Sequence, residues 1–361
     1  YITFSVTQGM EKDEVLHRFI NTSDGGYIAA GYSTSNNSLK DAYVVKMSAG
    51  GTLQWHKVYG DFYDDEAYDI IETTEGYIVA GYTVPSDESV GSDFWVFTID
   101  YQGSLISSQT YGTVYSEAAY SMSKVSDGGF IVAGYAFNEY NNKDAWIVKV
   151  SDDLTKEWDR SYGGNNYDTA FDIIQSSDGN FVFTGITRSY SSTGIDAWIV
   201  KTDQTGEVIW QNNFGDSADD YAHAIVETSD NGYVLAGSQY VVQNENSDGW
   251  IIKVSSEGAK EWDYLYSSDA DESFQSMVKI NDGFVAVGNS ANFSTGSNTF
   301  ILQIDDSGKE VFQRTYEYSG QQFAYSIIIN NYNGFTFVGT TETVENGKDC
   351  LVQSIDREGG F

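Results

Sequence analysis

Short apolar strings recur along the chain at nearly constant spacing, and each string ends in a glycine. The first three are Tyr27–Gly31, Tyr77–Gly81 and Phe130–Gly134, in which an aromatic residue leads into β-branched and small residues. The glycines that close the strings stand at positions 31, 81, 134, 185, 237, 288 and 339. A fixed period of about 51 residues is typical of a repeat architecture, so the chain contains seven copies of one unit.

Each copy is punctuated as four short strands. A tight turn such as Asp127–Gly129 separates the first strand from the apolar string, because Gly and Asn accept positive φ at little cost. The third strand follows the pattern of Asp144–Lys149, and the fourth follows that of Val208–Phe214. These segments are β-branched and aromatic, and they are too short for helices. The pattern therefore predicts an all-β chain with four strands in each copy.

Seven units of four antiparallel strands predict a seven-bladed β-propeller. The last copy ends after its third strand, whereas Tyr1–Gly9 has the composition of a fourth strand, with Phe4 at the position of Trp55 in the first copy. We therefore expect the N-terminal strand to complete the last blade and close the ring, which removes the exposed edges of an open array. The predicted blades form one domain, 1–361, with approximate bounds 14–59, 65–111, 117–162, 168–214, 220–266, 272–316, and 322–361 plus 1–8.

Charge and composition narrow the range of partners. The chain carries 19 Lys and Arg against 53 Asp and Glu, for a formal net charge of -34. Such a surface repels phosphate, so we expect neither nucleic acid nor an anionic membrane as a partner. No apolar run approaches the ~20 residues of a transmembrane helix, so no transmembrane segment is expected in this chain. The single cysteine, Cys350, excludes an internal disulfide and a zinc site built from cysteines.

The copies resemble the repeats of secreted bacterial and archaeal seven-bladed β-propeller proteins of the surface-protein and lipoprotein type. The resemblance is carried by the apolar strings, by the segment Asp196–Lys201 and by the ending Tyr162–Gly164. The segment Asp203–Trp210 is also distantly similar to the tryptophan-docking motif of quinoprotein propellers, but it is one residue short. No cofactor-binding residues carry over, so no quinone cofactor is expected. The resemblance implies an extracellular or cell-surface protein, in a fold that serves many roles.

An acidic position recurs at the start of the first strand. The first strand of a propeller blade lies nearest the axis, so these carboxylates would ring one mouth of the channel. They would suit a cation or a basic or polyhydroxyl ligand. Alternatively, each carboxylate accepts backbone N–H bonds and fixes its own loop. The seventh copy has Gln322 here, and the other six have Glu14, Asp65, Glu117, Asp168, Asp220 and Glu272.

Two further sets of side chains recur. The acid that opens the third strand is expected to tie a loop to the strand end; it is Asp41, Asp93, Asp144, Asp196, Asp248 and Asp349, with Asn298 in the sixth copy. The third-strand aromatic residue two positions later is expected to pack between blades. The loops before the first strands combine acids with aromatic faces that suit sugar rings, namely Tyr63, Tyr115, Tyr167 and Tyr221. Acid clusters also suit Ca²⁺, but none has the spacing of an EF-hand loop, so Ca²⁺ stays open as the one cofactor alternative.

Catalysis has little support in the sequence. The three histidines are scattered, and His17 and His223, both expected in first strands, align one residue apart in the repeat. Neither a nucleophile elbow nor a phosphate loop is present. We therefore expect a non-enzymatic extracellular module that binds a protein or a glycan at the cell surface, or that assembles with itself as a scaffold. The alternative is a carbohydrate-active enzyme, a glycoside hydrolase or lyase, that uses the channel-mouth carboxylates.

Overall fold

The computed structural model describes residues 5–8, 13–34, 39–85, 91–243, 245–292, 296–316, 320–343 and 347–360. Its regular elements are β-strands, numbered β1 to β28. They pair as seven four-stranded sheets in which consecutive strands are neighbours. The chain is therefore all-β and is a seven-bladed β-propeller, as the repeat predicted. The described residues include no helix of the length and apolarity that a bilayer crossing requires.

Six blades are each formed by four consecutive antiparallel strands. Blades 1 to 3 comprise β2 (Glu14–Asn21), β3 (Tyr27–Thr34), β4 (Lys40–Met47) and β5 (Leu53–Tyr59); β6 (Asp65–Glu72), β7 (Gly76–Thr83), β8 (Asp93–Asp100) and β9 (Leu105–Tyr111); and β10 (Glu117–Lys124), β11 (Phe130–Phe137), β12 (Lys143–Val150) and β13 (Lys156–Tyr162). Blades 4 to 6 comprise β14 (Asp168–Gln175), β15 (Phe181–Thr187), β16 (Asp196–Thr202) and β17 (Val208–Phe214); β18 (Asp220–Glu227), β19 (Tyr233–Val241), β20 (Asn246–Val254) and β21 (Lys260–Tyr266); and β22 (Asp271–Ile280), β23 (Gly283–Asn292), β24 (Gly296–Ile304) and β25 (Glu310–Tyr316).

Blade 7 draws its strands from both ends of the chain. Its first three strands are β26 (Gln321–Ile329), β27 (Phe335–Thr343) and β28 (Gly347–Ile355), and its fourth is β1 (Ser5–Gln8). β1 runs antiparallel to β28. The N-terminal strand thus completes the last blade, as predicted. Phe4, expected at the position of the fourth-strand tryptophan, lies outside the described residues.

The fold divides into two compact units. Unit 1 comprises Tyr1–Ala118, Thr295–Ile301 and Arg314–Phe361, and unit 2 comprises Ala119–Ser294 and Leu302–Gln313. The prediction of one domain over 1–361 stays a prediction.

Each unit has its own apolar core between blades. In unit 1, Trp95 of blade 2 belongs to one buried cluster with Ile28 and Val44 of blade 1. In unit 2, Trp198 of blade 4 is clustered in the same way with Ile131 of blade 3. The prediction that third-strand aromatic residues pack between blades is therefore confirmed at these two positions.

A β-bulge in the first strand explains the glycine that closes each apolar string. In blade 4 the ladder passes from Ala170 opposite Gly185 to Asp172 opposite Thr184, which leaves Phe171 as the extra residue. The same shift occurs in blades 1, 2, 5, 6 and 7. A Cβ at Gly185 would lie 1.9 Å from a backbone carbonyl oxygen of the first strand. The repeated glycine is thus a steric requirement of the bulge.

Candidate functional site

The bulge residues of neighbouring blades lie ring against ring. In unit 1, the imidazole of His17 stacks on Tyr68, with ring centroids 4.7 Å apart, and meets Tyr325 in an edge contact at 5.3 Å. In unit 2, the bulge residues Phe171 and His223 have ring centroids 5.2 Å apart. A bulge redirects a side chain, and here it lines up aromatic rings of successive blades.

The prediction that His17 and His223 align one residue apart is wrong. The ladder skips both residues, so each is the extra residue of the same bulge in its own blade. Each histidine also lies three residues after the first-strand acid of its copy, Glu14 or Asp220, so the two occupy the same position of the repeat. Burial lowers the pKa of His223 to about 4, so this imidazole is neutral at neutral pH.

A charged centre adjoins His17. Nε2 of His17 lies 2.6 Å from Oε1 of Glu66, while Oε2 of Glu66 accepts hydrogen bonds from Nζ of Lys40 at 2.7 Å and from the Tyr82 hydroxyl at 3.1 Å. Burial by itself would raise the pKa of Glu66, but the hydrogen bond from His17 and the charges of His17 and Lys40 hold that pKa at about 2. Glu66 is therefore ionised at neutral pH, and it fixes the positions of both partners.

The partners of Glu66 are partly exposed to solvent, whereas the carboxylate is almost fully buried. The side chains of His17 and Lys40 are 17% and 35% exposed, against 3% for Glu66. Nζ of Lys40 also lies 4.3 Å from the centre of the Tyr32 ring. We call this group the His17 centre; it comprises His17, Tyr32, Lys40, Glu66, Tyr68 and Tyr325. It presents nitrogen donors beside aromatic rings, an arrangement that suits a ligand with a planar face and acceptor oxygens.

The repeat consensus does not reveal the His17 centre. Its anchor, Glu66, directly follows the recurring acid Asp65, at a position that blade 1 fills with Val15 and blade 3 with Ala118. The only signal in the sequence is a charged residue at a position that is uncharged in the other six copies. The repeat consensus hides it, because a consensus keeps only the positions that all copies share.

The six predicted first-strand acids are buried. None is more than 1% exposed: Glu14, Asp65, Glu117, Asp168, Asp220 and Glu272. Asp168 shows the mode of bonding, because it accepts hydrogen bonds from the hydroxyls of Thr187 and Ser189, both at 2.5 Å. Burial raises the pKa of Asp65 to about 6 and the pKa of Glu117 and Asp220 to about 7. Their predicted role as ligand-binding residues stays a prediction.

The third-strand acid of one blade faces the first-strand acid of the next. A Cβ at Gly163 would meet Oδ2 of Asp168 at 2.4 Å and Oδ1 of Asp144 at 2.8 Å, so both carboxylates converge on one glycine. In each couple the pKa of one carboxyl group is raised. Burial is the larger cause, and charge repulsion from the other acid of the couple adds to it. We call these couples the junction acid pairs: Asp41–Asp65, Asp93–Glu117, Asp144–Asp168, Asp196–Asp220 and Asp248–Glu272. The junction between copies 6 and 7 has two amides in place of the two acids. Asn298 replaces the third-strand acid of the sixth copy, and Gln322 replaces the first-strand acid of the seventh. The sixth predicted third-strand acid, Asp349, lies in β28.

The predicted loop aromatic residues fall into two groups. Tyr63 is half-buried, and Tyr115 and Tyr167 are 37% and 44% exposed. Tyr221 is not a loop residue, because it pairs with Ser238 in the β18–β19 ladder. More exposed than any of these is Phe62, at 83%, which was not among the predicted loop aromatic residues.

Within the described ranges, no group of three or more His, Cys, Asp or Glu side chains is placed to hold a metal ion.

Comparison with known proteins identifies the fold. No protein-family model matches the chain, and no curated protein matches it. Among solved structures, the WD40 domain of Pan2 from Neurospora crassa is similar at 9% identity and a TM-score of 0.57, over 96% of this chain and 91% of that one. YCF48 bound to a D1 peptide is similar at 11% identity and a TM-score of 0.56, over 98% and 96% of the two chains. The β-propeller domain of the Trilobed protease from Pyrococcus furiosus is similar at 12% identity and a TM-score of 0.54, over 99% and 96%. At such identities the likeness shows the fold alone.

Proposed function

We propose that this protein is a non-enzymatic binding module of the extracellular or cell-surface kind, and that the His17 centre contacts an extended segment of a protein partner. The observation that carries the proposal is the pair of partly exposed side chains, His17 and Lys40, held by one buried carboxylate beside tyrosine rings. The complex of the similarly folded YCF48 with a D1 peptide supports a peptide as the kind of ligand.

The charges favour a segment that carries both an aromatic and an acidic side chain. On a chain with a formal net charge of -34, accessible cationic nitrogens are scarce. Lys40 donates to an incoming carboxylate without losing Glu66, because an ammonium group has three donors. Tyr68 and Tyr325 border the imidazole and offer ring surface for an aromatic side chain.

The test is a screen of a displayed peptide library against the purified protein, followed by affinity measurements on single variants. We expect His17→Ala, Lys40→Ala and Tyr68→Ala each to weaken binding at least about tenfold, as the loss of a central contact does. Tyr140→Ala is the matched control, because this tyrosine is 82% exposed and belongs to unit 2. Equal affinity of the three variants and the control would contradict the proposal, and so would the recovery of no peptide.

Two other kinds of binding, to a glycan and to a second copy of the chain, are each supported by a separate observation. A glycan ligand is supported by the exposed rings of Phe62 and Tyr115, and a glycan array with and without Ca²⁺ tests it. Self-assembly is supported by Leu105 and Ile106, which are 55% and 53% exposed on the outer strand β9. Electron microscopy of the purified chain tests that version.

The alternative of a carbohydrate-active enzyme has weaker support. A glycosidase needs two carboxyl groups that reach the sugar from opposite sides. The first-strand acids proposed for that role are at most 1% exposed. Turnover on a broad polysaccharide panel, lost in Glu66→Gln, would favour the enzyme over the binding module.

A further inference from the structure

The junction acid pair between blades 4 and 5 is saturated with hydrogen-bond donors, whereas Asp65 and Glu117 in two other pairs each keep one buried oxygen without a partner among the described residues. Oδ1 of Asp196 accepts from the Ser191 hydroxyl at 2.9 Å, and its Oδ2 accepts from the Asn213 amide at 2.5 Å. The two oxygens of Asp220 accept backbone N–H groups at 3.0 and 3.2 Å. Every carboxylate oxygen of this pair therefore has a donor.

The pair between blades 5 and 6 lacks these donors. Asp248 is 1% exposed, and neither of its carboxylate oxygens has a hydrogen-bond partner of ordinary geometry among the described residues. Glu272 is also 1% exposed; its Oε1 accepts from the hydroxyls of Ser268 and Ser290, while its Oε2 has no partner there. Oδ1 of Asn246 is a fourth buried oxygen without a partner in that set. Buried oxygens of this kind need a partner, and two of these groups are acidic.

Two sequence changes distinguish this junction from the saturated one. Asn213, the donor in the saturated pair, is replaced by Leu265 at the same register position of the fourth strand. Gly215 is replaced by Ser267, and a Cβ at Gly215 would lie 2.4 and 2.8 Å from the oxygens of the two acids. The Ser267 side chain thus enters the space between the carboxylates, with its hydroxyl beside Asp248. The Asn213 donor is thus lost and a serine hydroxyl is gained, while the two acids are kept.

The Asn246 amide has also changed its role. In blade 3 the equivalent Asn142 donates to Oδ1 of Asp144 at 3.1 Å. In blade 5 the Asn246 amide nitrogen donates instead to the carbonyl oxygens of Ser268 and Ala270, at 3.1 and 2.7 Å. That arrangement engages the amide nitrogen with backbone carbonyls and leaves Oδ1 of Asn246 without a partner in the part of the chain that the structure describes.

We propose that Asp248, Glu272, Asn246 and Ser267 form a Ca²⁺ site at the junction of blades 5 and 6. The four unpartnered oxygens and the serine hydroxyl are all hard ligands, and Ca²⁺ takes six to eight oxygens in flexible geometry. Two carboxylates balance the charge of a divalent cation. A single proton shared between Asp248 and Glu272, the competing explanation, engages one oxygen of each acid and provides no partner for Oδ1 of Asn246. The donor set contains only two acidic side chains, so it is compatible with the absence of groups of three or more among the described residues. The site is independent of the His17 centre.

Titration of chelator-treated protein with Ca²⁺ and with Tb³⁺ tests the site. We expect Ca²⁺ to raise the melting temperature, with half-saturation at about 10⁻⁴ to 10⁻³ M, as in other extracellular modules. Tb³⁺ luminescence excited through tryptophan should appear and be displaced by Ca²⁺. Asp248→Asn should weaken both responses at least about tenfold, whereas Asp196→Asn in the saturated pair should leave them unchanged.

A second variant protects the test against misfolding. The double substitution Leu265→Asn with Ser267→Gly copies the saturated junction at an edge strand where Leu265 is 38% exposed. We expect it to fold without Ca²⁺ and to lose the thermal response and the luminescence. The proposal is overturned if the natural chain responds to neither ion, or if its response persists in Asp248→Asn or in the double variant. It is also overturned if Asp196→Asn weakens the response as much as Asp248→Asn does.

Discussion

Replacing Asp220 with Asn should flatten the dependence of stability on pH in the neutral range. Asp220 is fully buried at the start of β18 and lies beside the acid Asp196. Burial, helped by repulsion from Asp216 and Asp196, raises the pKa of Asp220 from 3.8 to about 7. The folded protein therefore keeps a proton on this carboxyl at a pH where the unfolded chain has released it.

The sign and the size of the effect follow from proton linkage. A carboxyl whose pKa is raised on folding stabilises the folded state at low pH, and that contribution is lost as the pH rises from near the unfolded pKa to the folded pKa. One pKa unit corresponds to about 1.4 kcal/mol, so full linkage gives about 3 kcal/mol between about pH 5 and pH 8. Screening by solvent on the loop side reduces our expected value for Asp220 to about 2 kcal/mol.

Urea unfolding followed by tryptophan fluorescence at several pH values measures the effect. The natural chain and Asp220→Asn are compared with Glu257→Gln, which alters an exposed acid. We expect the loss of stability from about pH 5 to pH 8 to be about 2 kcal/mol smaller in Asp220→Asn than in the other two proteins. Equal pH slopes in all three would refute the reasoning, even if Asp220→Asn is less stable at every pH.

Three other substitutions probe the packing of the blades. Gly185→Ala should lower the free energy of unfolding by about 3 kcal/mol or more, because the added Cβ would meet backbone at 1.9 Å, whereas Gly50→Ala, with nothing within 4 Å, should be nearly neutral; chemical denaturation compares them. Tyr162→Phe should lower the free energy of unfolding by about 1 kcal/mol, because it removes the hydrogen bond from the tyrosine hydroxyl to the Gly206 carbonyl at 2.8 Å. The exposed control Tyr140→Phe should leave that free energy unchanged in the same assay. Lys201→Met should lower the free energy of unfolding by about 1 to 2 kcal/mol, because the buried ammonium group pairs with Asp178 at 2.6 Å. Lys260→Met, which removes an exposed ion pair, should change the melting temperature little.

The strands and their grouping into blades follow from the sequence because their signals are local. Gly185 and its equivalents mark the second strand of each copy, and the turns fall at fixed offsets from it. The pairing of β1 with β28 was predictable as well, since the last copy lacks a fourth strand. The bulge was not, because an extra residue such as Phe171 looks like an ordinary strand residue until the partner strand is known.

The candidate site was harder to predict because its residues are distant in sequence and break the repeat. His17, Lys40 and Glu66 meet only when two blades are placed side by side, and Tyr325 comes from the last blade. The junction acid pairs show the same limit in a milder form. Both sets of acids were found, but their convergence depends on the register between blades, which no single copy encodes.

The pairing of β1 with β28 has a consequence for how the chain is made. Among the described strands β1 is synthesised first, yet its hydrogen-bonding partner, β28, is synthesised last. The other six sheets are built from consecutive strands, whereas blade 7 cannot gain its fourth strand until β28 has formed. Until then β1 has no partner strand in its own chain, and β1 of a second copy can afterwards compete with it for the edge of β28. At high concentration, newly made chains should therefore exchange their first strands and form linked dimers.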